Sequence, residues 1–106
     1  MLKFLSKGYI VSTFEMHCQE SRELFGEAFE EVHLWLDEFS GTPKYRMRHR
    51  RVHHHEAGIQ EAIRLFGEKA GPVARHHIIT DLKEEGWTDN DPFPKDEQDY
   101  VRMGLF

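Results

Sequence analysis

One cysteine, Cys18, stands among 106 residues, and that scarcity excludes an intrachain disulfide and any zinc knuckle built on thiolates. It fits a reducing compartment, so the expected location is the cytoplasm. No apolar run approaches the roughly 18 residues that cross a bilayer, and the opening segment has no sustained apolar stretch leading to a small-residue cleavage site. The expectation is a chain neither secreted nor membrane-inserted. Positive charge is also short: 14 Lys and Arg against 19 Asp and Glu give a formal net charge of -5, which argues against whole-surface attraction to nucleic acid. A Gly-x-Ser-x-Gly elbow is missing, so serine-based acyl transfer has no support. Internal repeats, low-complexity tracts and strand-period runs beyond the first dozen residues are missing too.

Apolar residues are present in quantity. They make up 39% of the chain and include eight phenylalanines, enough for one modest core and one domain. Between Ser21 and Phe39 they recur every three or four residues at Phe25, Ala28, Phe29, Val32, Trp35, Leu36 and Phe39, which predicts an amphipathic helix with Ser21 near its N-cap and Gly41 and Pro43 beyond its end. A second helix is predicted from about Lys44 to Glu68, with Val52, His55, Ile59, Ala62, Ile63 and Phe66 on one stripe. Gly58 interrupts it and signals either close approach of another backbone or a locally weak helix. A third runs from Pro72 to about Glu85, and a short one is expected between Lys95 and Met103. The predicted fold class is therefore all-α, a small helical bundle with a three-helix core over 21–85, an N-terminal arm or short helix over 1–20 and a turn-rich tail over 86–106.

Histidine and carboxylate carry the chemistry. His33 with Asp37, and His77 with Asp81, are four residues apart, a spacing that puts both members on one helix face. The segment Arg46-Met47-Arg48-His49-Arg50-Arg51-Val52-His53-His54-His55-Glu56 adds four histidines inside a basic run. The expected centre comprises His33, Asp37, His49, His55, His77 and Asp81, with His53 and His54 in second place because a regular helix would turn them away from the core. Imidazole and carboxylate donors without thiolate suit zinc, iron, nickel or manganese. His17 beside Cys18 is expected to be a bystander, since neighbours on a helix diverge. Arg46, Arg48 and Arg50 are candidate phosphate ligands.

Arg48-His49-Arg50, His54-His55-x-x-Gly58-Ile59, Phe66-Gly67 and His77-Ile78 with Asp81-Leu82, preceded by His33-x-Trp35-Leu36-Asp37, together resemble a family of small bacterial proteins of unknown function. The likeness covers roughly residues 33 to 82. It implies a small helical domain with no established activity, and it draws attention to His33, Asp37, His49, His54, His55, His77 and Asp81. The inclusion of His54 conflicts with the helical projection. A looser similarity to helical His-plus-Asp metal phosphohydrolases rests on analogy, because no His-Asp dipeptide occurs.

The functional expectation is divalent-metal binding, with metal-assisted hydrolysis as the first catalytic guess and a small anionic ligand held by the basic run. The alternative is a module without catalysis. It would be a homodimer whose histidines are hydrogen-bonded structural groups, or a weak nucleic-acid or phosphate contact through residues 44–51.

Overall fold

The structure, a computed structural model, describes residues 4–6, 9–11, 13–40 and 46–105, with side chains described for 13–40 and 49–105. Its body is all-helical. A two-stranded antiparallel hairpin, β1 (Phe4–Ser6) and β2 (Tyr9–Val11), precedes α1 (Phe14–Phe25), α2 (Glu30–Leu36), a 3-10 helix (Arg46–Val52), α3 (Glu56–Phe66), α4 (Ala70–Glu84) and α5 (Glu97–Arg102). Helix α4 is central and packs against α1, α2 and α3. The core it organises holds Val32, Leu36, Ile59, Ala62, Val73, Ala74, Ile78, Leu82 and Tyr100.

The first expected helix is two helices, and the second has a broken start. Thr13, not Ser21, caps α1, its Oγ1 accepting from the Met16 amide at 3.2 Å. Gly26 then ends α1 in a left-handed conformation (φ 85), and Phe29, also left-handed at φ 54, opens α2. The apolar period predicted across this joint is used only on its α2 side, where Val32 and Leu36 are buried, while Phe25 of α1 is exposed. Further on, the predicted Lys44–Glu68 helix gives way to the 3-10 helix, a turn over 53–55, and α3. Gly58 explains the break: a Cβ there would stand 1.8 Å from the His53 carbonyl oxygen, so the chain folds back onto its own backbone. His55 takes an extended conformation and caps α3, its Nδ1 accepting from the Gly58 amide at 3.0 Å. The amides of Glu56 and Ala57 donate to the carbonyls of Pro94 and Lys95, at 2.9 and 2.8 Å, so the tail completes the helix start. Helices α4 and α5 lie close to their predicted spans. Among the described residues no helix is long and apolar enough to cross a membrane.

Candidate metal centre

Each helix of the body except α3 and α5 sends a histidine or a carboxylate to one buried place. The i, i+4 spacing presents His17 and Ser21 on one face of α1, and His77 and Asp81 on one face of α4. His33 comes from α2, and Asp37 closes that helix as its C-cap. His54 enters from the turn before α3, where the fold-back at Gly58 points it inward rather than outward. His49 and Arg50 reach in from the 3-10 helix. Side chains of His54, His77 and Asp81 are 0%, 0% and 3% exposed, whereas Asp37 is 30% exposed.

Four donors surround a common point: His54 Nε2, His77 Nε2 and the carboxylates of Asp37 and Asp81 all lie within 4.8 Å of one another. Asp81 Oδ2 is 2.9 Å from His54 Nε2 and 3.2 Å from His77 Nε2. Asp37 Oδ2 is 3.4 Å from His77 Nε2, and its Oδ1 is 3.6 Å from His54 Nε2. The His54 and His77 rings cross at 71°, which allows one ion to lie in both ring planes. A second group, His17, His33 and His77, is equally compact but unsuitable. His17 lies flat on His77, with centroids 3.7 Å apart and planes 16° from parallel, so no position is in the plane of both rings.

The remaining polar groups hold these four in place. His17 Nε2 lies 3.3 Å from Asp81 Oδ1. Arg50 donates to the Asp81 carbonyl at 3.2 Å and pairs with Glu84 and Glu85 at 3.2 and 3.0 Å. His49 Nε2 donates to Asp37 Oδ1 at 3.2 Å. On the far side of His77, its Nδ1 meets His33 Nδ1 at 2.8 Å, and His33 Nε2 lies 2.7 Å from Ser21 Oγ. Burial, with the charges of His77 and His17, pushes His33 down to about 3, so it is neutral. Burial also lowers His77, but Asp37 and Asp81 beside it outweigh burial and raise it to about 9. In the metal-free protein His77 therefore donates through Nδ1 to His33, and His33 donates through Nε2 to Ser21. Burial brings His54 down to about 4 against the opposing pull of Asp81. Both carboxyls are pushed up by burial yet sit well below the usual carboxylate range, Asp37 through His49 and His77, Asp81 through His17, His54 and His77. Five buried atoms of the constellation, His17 Nδ1, His49 Nδ1, His54 Nδ1, His77 Nε2 and Asp81 Oδ1, make no hydrogen bond, although His77 Nε2 and Asp81 Oδ1 stand in ion-pair contact at 3.2–3.4 Å.

The structure thus gathers His33, Asp37, His49, His77 and Asp81 from the expected set, and separates one member. His55 spends both ring nitrogens locally, on the Gly58 amide and on the Arg51 carbonyl at 3.1 Å. His53 is also elsewhere, stacked on Trp35 and 2.9 Å from Glu38. His33 stands behind His77 and not beside the common point; it pairs with Ser21 and His77 rather than with Asp37. His54, placed second by the sequence, is at the centre. His17, expected to be a bystander, packs directly on His77 and Asp81; the cue overlooked was Thr13, an N-cap residue that starts a helix early enough to bury His17 and Ser21 together. Arg50 is committed to α4 carboxylates, which removes it as a free phosphate ligand. The side chains of Arg46 and Arg48 lie outside the described residues.

No curated protein and no solved structure matches the chain. A family profile does, over residues 12–92, a span that contains every residue of the buried constellation. On that match the chain belongs to the family described as domain of unknown function DUF6915.

Proposed function

We propose that this protein binds one divalent transition-metal ion through His54, His77, Asp37 and Asp81. The observation that carries this reading is the spacing of the four donors. An ion with ligands at about 2.0–2.2 Å in tetrahedral array needs donors about 3.3–3.6 Å apart; the Asp37 contacts, 3.4 Å through Oδ2 and 3.6 Å through Oδ1, fall in that range, and those of Asp81, 2.9 and 3.2 Å, are a few tenths shorter. The two Asp37 contacts are too long for hydrogen bonds. In a second respect, His77 Nε2 and Asp81 Oδ1 are held by ion-pair contacts of 3.2–3.4 Å without a well-aligned hydrogen bond, which leaves both free for a closer partner. Two carboxylates turned toward one buried point call for positive charge beside them, which the His77 imidazolium supplies when no ion is bound. The His33–Ser21 pair favours the same assignment, because it occupies His77 Nδ1 and leaves Nε2 as the ligand.

When bound, the ion would supply Lewis acidity to a water or to a carbonyl or phosphoryl oxygen, the chemistry of metal-assisted hydrolysis. The residues of the chain supply the rest. His17 and Arg50 fix the Asp81 carboxylate, His33 fixes the His77 ring, and His49 holds Asp37.

Elemental analysis of protein purified without an affinity tag tests the reading. The expected result is near one equivalent of a single transition metal per chain, lost in His77→Ala and retained in His55→Ala. A metal-free protein whose melting temperature ignores added zinc, nickel, iron and manganese sinks it. The second reading is a purely hydrogen-bonded histidine network, favoured by the 2.9 Å His54–Asp81 bond. Under it, His77→Ala changes stability and nothing else.

A further inference from the structure

We infer that Asp37 is a displaceable ligand, and that its seat accepts the carboxylate group of a small exogenous acid. The inference rests on the metal reading above and adds a ligand class to it. Asp37 differs from the other three donors in every respect that governs exchange. It is 30% exposed where they are 3% or less. Its contacts to the histidine nitrogens, 3.4 and 3.6 Å, are longer than those of Asp81, 2.9 and 3.2 Å. It stands at the C-cap of a seven-residue helix, the negative end of the helix dipole, where a carboxylate is disfavoured. The helix therefore does not hold it; its side-chain partners do.

One of those partners offers an alternative position. His49 Nε2 donates to Asp37 Oδ1 and is itself only half-buried. If the carboxylate turns toward His49 and solvent, one coordination position opens on the exposed side, while His54, His77 and Asp81 stay fixed by packing. A carboxylate entering there takes the position on the ion that Asp37 leaves, while Asp37 keeps the N–H of His49. No covalent bond is made or broken in this exchange, and Asp37 remains ionised throughout, as its depressed proton affinity requires.

The experiment uses cobalt(II) as the probe metal and acetate as the probe acid, read by the visible absorption of the cobalt-loaded full chain. Wild type is expected to take up cobalt and to shift its band with acetate, at concentrations well above those the Asp37 variants need because the tethered carboxylate competes. Asp37→Ala and the isosteric Asp37→Asn should still bind cobalt, with affinity reduced by about tenfold to a hundredfold. Millimolar acetate should then shift the band and recover at least tenfold of that loss. Asp81→Ala should bind no cobalt with or without acetate. Three outcomes overturn the inference alone: both Asp37 variants losing cobalt as completely as Asp81→Ala, both keeping it with no acetate response, or both failing to fold by circular dichroism, which would make Asp37 structural. Wild type that takes up no cobalt overturns the metal reading and this inference together.

Discussion

Gly58 has room for a hydrogen and nothing larger, since any Cβ would meet the backbone of His53. Gly58→Ala is therefore expected to destabilise the fold by about 3 kcal/mol, measured by urea unfolding, and to weaken metal binding because the displaced turn carries His54. The sequence alone offered this glycine as either a point of backbone approach or a locally weak helix, and the structure contains the first, against the backbone of His53. It did not register the direction of the fold-back, and a straight helical projection therefore exchanged His54 and His55. One residue of rotation in a turn decides which of two adjacent rings is central, and periodicity carries no information about turns. His17 was invisible for a related reason, as the groups it packs on, His33, His77 and Asp81, come from other helices, two of them sixty or more positions away in the chain. Its replacement by Ala should weaken metal binding by about tenfold to a hundredfold, whereas His76→Ala, on a surface histidine paired with Glu20, should leave it unchanged in the same titration.

At the scale of elements, the sequence placed α4 and α5 close to their spans, found the end of α3 but not its start, and blurred α1 with α2. The apolar spacing continues across Gly26–Phe29 although Phe25 of α1 is exposed and only α2 contributes, through Val32 and Leu36, to the hydrophobic core. The break is legible only through the glycine, and only when a single αL residue is allowed to end a helix in mid-pattern. Gly26→Ala should cost about 1 kcal/mol, because alanine resists φ 85. Thr13→Ala should cost a similar amount, about 1 kcal/mol, by stripping the α1 cap. Both are measurable by chemical denaturation. The joint also places His33 and Asp37 at an angle to α1 that a continuous helix would not reach, so the break is part of how the centre is built.

For the whole molecule, the buried titrating groups set a stability profile with two flanks. His33 and His54 remain neutral when folded, at about 3 and about 4, against 6.5 when unperturbed. Below about pH 6.5 the unfolded chain binds protons that the folded chain refuses, so acid lowers stability. Asp37 and Asp81 add to that flank, their contribution present above the ordinary carboxylate range and lost as pH falls through it. His77 acts in reverse. With its folded value raised to about 9, its stabilisation is full below about pH 6.5 and is lost as pH rises toward 9. Melting temperatures in chelator should peak near pH 6.5 and fall on both sides; a flat profile between pH 6.5 and 9 would remove the raised His77 from the account.

The helical class and the His-plus-Asp chemistry were legible from spacing within segments. Convergence was not, because it depends on α4 reaching α1, α2 and the turn before α3 at once, and those contacts are not written in any local pattern. That arrangement has a kinetic side. The donors sit at positions 37, 54, 77 and 81, so the cage is complete only after helices distant along the chain have docked, whereas the α3–α4 hairpin is local and can form early. An ion that needs the finished cage has little to grip in the folding transition state. Under the proposed metal reading, loading should slow unfolding by nearly the whole factor by which it stabilises the protein and leave the refolding rate almost untouched, so that an ion would act as a latch on a door that closes by itself.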